Sequence, residues 1–118
     1  MRSGRLPRRL LRGTARPVER EIFEAVLQHL QSLGALIVEP VGVGILFKRR
    51  RTFVELRPKA RWVALSFGLN HRLEHPRITR TVRTPGGRTY DGIRVTSPAD
   101  IDNEVCDWLT ESYAEFAG

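Results

Sequence analysis

The chain is poor in cysteine, in acids at one end and in bases at the other. Cys106 is its only cysteine among 118 residues. That excludes an intrachain disulfide and a cysteine-cluster zinc site, and it fits a reducing cytosol, so a cytoplasmic protein is expected. No apolar run approaches the ~20 residues that a membrane span needs, so no membrane partner is expected. Residues 1–16 contain six Arg and no acid, whereas Pro98 to Gly118 contain six acids and no base. The Arg8-Arg9 pair is not followed by the apolar stretch of a secretory signal. Residues 1–16 read as a basic disordered tail; the other readings are an organelle transit peptide and an arm for nucleic acid.

The rest of the chain, 17–118, has the size of one domain with one core. Its charge is segregated. Lys48 to Arg94 carries 13 Lys or Arg against Glu55, Glu74 and Asp91, and the whole chain has a net charge of +7. That balance favours anionic partners, either nucleic acid or an acidic protein surface. It says nothing about a reaction.

Apolar periodicity sets the fold class. Pro17 suits the first helical position, and Ile22, Phe23, Val26, Leu27, Leu30 and Leu33 then follow helical spacing up to a stop at Gly34. The period changes to two at Ala35 to Glu39, closed by Pro40. It continues through Val43, Ile45 and Phe47, through Thr52 to Arg57 and through Arg61 to Gly68. Connections as short as Pro58-Lys59-Ala60 require antiparallel hairpins. Ile78 to Thr84 and Tyr90 to Val95 read as further strands around a Pro85-Gly86-Gly87 turn. Ser97, Pro98 and Asp100 mark the start of a second helix, with Ile101, Val105, Trp108, Leu109, Tyr113 and Phe116 as its stripe. The expected architecture is α+β: a helix, a five- or six-stranded mainly antiparallel sheet and a C-terminal helix, with both helices on one sheet face.

Most chemical motifs fail on context. His71-Arg72-Leu73-Glu74-His75 matches H-x-x-E-H, but zinc chemistry needs that pattern on a continuous helix, and Pro76 ends it at once. Glu55-Leu56-Arg57 lacks the Lys and the upstream Asp of a metal-dependent nuclease. Cys106 has no base placed for it and reads as an inert thiol. His29 reads as a boundary residue of the first helix. Gly42-Val43-Gly44 opens no helix and is no phosphate loop. No cofactor, metal or catalytic set is expected.

What remains is a cation-rich hairpin region. Lys48, Arg49, Arg50 and Arg51 form one turn-like run, and Arg57, Lys59, Arg61 and Trp62 cluster at the next. Trp62 is expected to point away from Val63, Leu65 and Phe67, and Phe53 away from Val54 and Leu56. Aromatics among cations on an open sheet face can stack bases and hold phosphates. These eight residues are the candidate anion-binding site. Two other readings stand beside it: a protein-interaction or homodimerisation module joining the acidic helix of one copy to the basic face of another, and a small-molecule-binding domain or enzyme of unknown reaction.

Three stretches carry a family likeness: Arg51-Thr52-Phe53-Val54-Glu55-Leu56-Arg57-Pro58, Arg61-Trp62-Val63-Ala64-Leu65-Ser66-Phe67, and Ser97 through Asp100-Ile101-Asp102-Asn103-Glu104 and Trp108-Leu109 to Tyr113. In that order after a leading helix, they resemble the bacterial domain of unknown function 5655. The resemblance spans roughly residues 17–116. It implies a small α+β domain, found alone or appended to other bacterial proteins, with no established activity and no site residues to carry over.

Overall fold

The computed structural model describes residues 16–118; the expected basic tail lies outside the described residues except for Arg16. Helix α1 (Pro17–Leu33) begins at its proline as the sequence predicts. The Glu19 carboxylate accepts the Arg16 backbone N–H at 3.0 Å, which satisfies a donor left over at the helix start. The Arg16 guanidinium closes on the same carboxylate and donates to the Ala60 and Lys59 carbonyls at 2.9 and 3.0 Å. Residue 16 therefore ties the helix to the turn between two strands. Ile22, Phe23, Val26, Leu27 and Leu30 are buried, and Gly34 ends the helix at φ 145°.

Six strands follow: β1 (Ile37–Val41), β2 (Gly44–Lys48), β3 (Thr52–Pro58), β4 (Val63–Leu69), β5 (Arg80–Arg83) and β6 (Thr89–Val95). They form one sheet in the order β1-β2-β3-β4-β6-β5, and all pairs are antiparallel. The segment 70–79 leads past the central strands, so β5 lies outside β6. The strand expected to close at Pro40 instead runs through it. This is tolerated because β1 is an edge, where a missing N–H breaks no ladder.

One sheet face supplies Ile45, Phe47, Val54, Leu56, Val63, Leu65, Phe67, Ile93 and Val95 to the core. The α1 stripe and Val105, Trp108 and Leu109 cover it. Both helices thus lie on the same face, as expected. Trp108 stacks on Phe67 with ring centroids 5.4 Å apart. A β-bulge corrects the expectation for Phe53. Phe47 opposes Val54 and Lys48 opposes Thr52, so Phe53 is an extra residue between them. The bulge turns its side chain inward. It is fully buried and meets the Tyr113 ring edge-on at 5.7 Å.

The second helix also differs from expectation at its start. Ser97 caps only a single 3₁₀ turn, Pro98–Asp100, because Ile101 leaves helical geometry at ψ 68°. A second cap, Asp102, accepts the Val105 N–H at 3.1 Å and opens α2 (Asn103–Glu111). Ser112–Phe116 widens into a π turn, with the Ala117 N–H bonded to the Ser112 carbonyl at 3.0 Å. Among the described residues, no helix is long and apolar enough to cross a membrane.

The π turn seats Phe116 against β4. A Cβ at Gly68 would lie 2.5–2.6 Å from three Phe116 ring atoms, so only glycine fits there. Gly68→Ala is expected to cost about 1–3 kcal/mol through overpacking. The same change made beside Phe116→Ala should cost much less. Chemical denaturation of the four chains in a double-mutant cycle measures the coupling.

Candidate anion-binding site

The second sheet face has no helix over its middle; the Phe116 ring of the π turn covers one end of it, over Gly68 and edge-on to Tyr90 at 5.1 Å. Its side chains come in three cross-strand rows. Arg57, Ala64 and Arg94 form one; Glu55, Ser66, Gly92 and Arg80 form the next; Gly68, Tyr90 and Val82 form the third. The middle of the surface, at Ala64, Ser66 and Gly92, is occupied by the smallest residues. Larger side chains stand around it. The result is a cavity of about 500 Å³, within the size range of ordinary ligand sites.

Arg57, Lys59, Arg80 and Arg94 contribute four cations to the lining, against the single carboxylate of Glu55. Arg57 pairs with Glu55 at 2.8 Å. The Arg94 guanidinium lies 4.2 Å from the centre of the Trp62 ring, a cation–π contact at one end of the cavity. At the other end, the Tyr90 hydroxyl donates to the Thr52 carbonyl at 2.8 Å. Burial, reinforced by Glu55, pushes the Tyr90 phenol above its ordinary range, while Arg88 opposes the shift. Tyr90 therefore stays protonated and serves as a donor, not as a base. The cavity offers positive charge, two aromatic rings, hydroxyl groups and one acceptor carboxylate.

Only part of the sequence-based set meets here. Arg57, Lys59 and Trp62 line the cavity, and Trp62 faces away from the core as expected. Lys48 lies on β2, where it is paired with Glu39. Arg49, Arg50 and Arg51 meet the chain's end, and Arg51 shares the Phe116 ring with Arg88, beside Tyr90. The Arg49 guanidinium donates to the Tyr113 carbonyl at 2.8 Å and lies over that residue's ring. The Arg50 N–H bonds the Ala117 carbonyl at 3.1 Å, and Arg51 lies 5.5 Å from the Phe116 ring centre. A helix end leaves its last carbonyls without partners, and cations satisfy them well. Arg61 is exposed in the turn before Trp62. The structure thus brings three of the eight residues into the cavity and leaves Lys48, Arg49, Arg50, Arg51 and Arg61 outside its lining. It adds Arg80, Arg94 and Tyr90, which sequence reasoning missed. Their signal was available: in β6, Tyr90, Gly92 and Arg94 alternate with Asp91, Ile93 and Val95, and period two puts them opposite the buried side.

The H-x-x-E-H segment lies in a loop, not on a helix. Its histidines bind carboxylates of α2. His71 places Nδ1 on the Arg72 carbonyl at 3.1 Å and Nε2 on Glu111. His75 accepts the Arg77 N–H at Nδ1, pairs with Glu104 at 2.8 Å and packs edge-on against Trp108. Arg77 adds bonds to Asp102, Glu104 and the Asp100 carbonyl. No cluster of metal-ligating side chains exists among the described residues. Burial, with Asp102 and Asp107 nearby, pushes the Cys106 thiol up, which keeps it unreactive at neutral pH.

The family model described as domain of unknown function (DUF5655) matches residues 11–115. The chain belongs to this family. No curated protein and no solved structure matches it. In this DUF5655 chain, the open-face cavity is built on the sheet, and the latch is built from the loop and α2.

The latch gives a pH dependence. The Arg72 carbonyl, then Glu111, raise His71 above the ordinary imidazole value of 6.5. A raised value in the folded state means a stabilising contribution that is complete below 6.5 and lost as pH rises through the folded value. Asp102 is lowered from 3.8, chiefly by the Val105 N–H and then by Arg77. Its contribution is complete above 3.8 and lost on acidification. The latch is strongest between those limits. His71 is half exposed, so its share is under about 1 kcal/mol. Thermal unfolding should show a midpoint falling by a few degrees, roughly, between pH 6 and 8.5, and His71→Asn should flatten that fall.

Proposed function

We propose that this domain is a non-catalytic binding module that takes an anionic partner, nucleic acid above all, on the open face of its sheet. One observation supports the reading most directly: four cations from β3, the β3–β4 turn, β5 and β6 surround one cavity that contains a single carboxylate. Cations drawn from four separate segments onto one concave surface create a positive field that a uniformly charged exterior does not. Trp62 and Tyr90 add faces on which bases can stack. The cavity holds no nucleophile beside a base, and its only carboxylate is already paired, so binding suits it better than catalysis.

Self-association through the acidic helix is less favoured. Asp100 holds the Thr96 and Ser97 N–H groups, Asp102 and Glu104 hold Arg77, Glu104 holds His75, and Glu111 holds His71. Four of the six acids after Pro98 are thus engaged within the chain.

The test is retention of nucleic acid as salt is raised. The chain should bind in low salt and release as salt increases. Replacing Arg57, Arg80 and Arg94 together with Ala should weaken binding. It should also lower the salt slope by about 2, at roughly 0.7 per lost phosphate contact on a single strand. Replacing Arg49 and Arg50 should change the slope much less. No retention of single or double strands by the intact chain in low salt would end the proposal.

A further inference from the structure

We infer that the open face is built for single-stranded nucleic acid, with one unstacked nucleotide seated in the cavity and the strand continuing past both ends. The inference rests on the anion-binding reading and adds the form of the partner.

The shape of the site carries the first step. The cations are arranged around a depression, not along a ridge. The depression exists because β4 and β6 place Ala64, Ser66 and Gly92 side by side. A duplex presents its phosphates on a stiff convex cylinder with its bases stacked inside. It can touch the rim of such a surface but cannot fill it. An unpaired nucleotide is flat, narrow and free to turn outward, and a volume of about 500 Å³ accommodates it.

The chemistry of the walls carries the second step. The Trp62 ring, held under Arg94, and the Tyr90 ring stand at opposite ends. An aromatic wall beside a guanidinium is a stacking surface for a base. Arg57 and Arg80 stand on opposite flanks, where they can reach phosphate. Glu55 is the one acceptor carboxylate, and an exocyclic base amine is a donor that suits it. A plain inorganic anion would use the cations and leave the rings and the carboxylate without a role.

Positive charge beyond the cavity carries the third step, from nucleotide to strand. Arg61 is exposed in the turn that carries Lys59 and Trp62. Arg88 lies near Tyr90, over the Phe116 ring at 5.9 Å. Cations therefore continue outward from both ends, where neighbouring phosphates of a strand would pass. A free mononucleotide would not need them.

The full chain would be titrated with a twelve-nucleotide labelled single strand, with the matching duplex and with a mononucleotide, by fluorescence anisotropy or competition. Tryptophan fluorescence would be read at the same time; Trp108 is buried, so the responsive ring is Trp62. The single strand is expected to bind about tenfold tighter than the duplex and to quench Trp62. The mononucleotide should be weaker than the strand by a larger factor. Gly92→Leu tests the cavity itself. A Cβ at Gly92 would meet Ser66 Oγ at 3.5 Å and Arg80 Cβ at 3.7 Å, ordinary contacts, so the chain should fold while the depression fills. This variant should lose the preference for the single strand and keep its weak duplex affinity. Trp62→Ala, which leaves the floor unchanged, should lose the same preference by about tenfold. Equal binding of strand and duplex, unaffected by either substitution, would overturn this inference and leave the anion-binding reading standing. A mononucleotide that binds as tightly as the strand would overturn the strand and keep the cavity. Absence of binding to all three would overturn both readings.

Discussion

Burial of one side of a six-stranded sheet under two helices is the constraint from which the other features follow. An alternating strand exposes half of its side chains on each side. Ile45, Phe47, Leu56, Leu65, Phe67 and Ile93 are all buried, so their neighbours along each strand must face the other way. Among the described residues α1 and α2 are the covers, and both go to the apolar side. The other side receives the Phe116 ring at its Gly68–Tyr90 end and is otherwise left to water with whatever the alternation supplies. Here it supplies small residues in the centre and cations at the margins.

The same constraint explains where the acids go. The chain's end must lie across the buried face to deliver Trp108, Leu109 and Val105, and it carries its carboxylates with it. Those carboxylates meet the segment 70–79, which passes the same edge of the domain. His71, His75 and Arg77 satisfy them, and Asn70 donates to the Glu115 carbonyl at 2.7 Å. An acidic helix and a basic sheet in one small domain would otherwise attract each other directly. Because the loop absorbs most of the acidity on the covered side, the cations of the open side remain without carboxylate partners from the helix. Among the described residues, Glu55 and Glu39 pair with them there.

The architecture was legible because apolar periodicity reports burial directly. Val63, Leu65 and Phe67 against Ala64 and Ser66 placed β4, and Ile22 through Leu30 placed α1. What could not be read were departures from strict period. The bulge at Phe53 adds one residue to β3 and reverses the side that a residue count assigns to it. The break at Ile101 moves the cap of α2 from Ser97 to Asp102, both of which are good capping residues. The candidate site was half legible for a related reason. Charge runs such as Arg49-Arg50-Arg51 draw attention in a sequence, yet adjacency in the chain fixes no common direction. Arg49 reaches a carbonyl and a ring of the π turn, Arg51 a ring, and Arg50 is tied there through its backbone N–H. Arg80 and Arg94 stand singly in the sequence and come together only through the β5–β6 pairing.

How firmly the open-face cations are held bears on whether they can serve a ligand. The Arg57–Glu55 pair is partly exposed, and pairs of that kind contribute about 0–1 kcal/mol. The Arg94 contact with Trp62 is of similar strength at an accessible site, about 0.5–1 kcal/mol. A backbone phosphate gives a guanidinium a singly charged, fork-shaped match, with hydrogen bonds roughly twice as strong as neutral ones. Exchange of the resting contacts for phosphate contacts therefore costs little. Arg49 is held differently, by a carbonyl and an aromatic face at once, and its release would remove one of the ties between the chain's end and the β2–β3 turn. The arginines that stabilise the fold and those available to a partner thus differ in what they touch, and the cavity collects those with the weaker attachments.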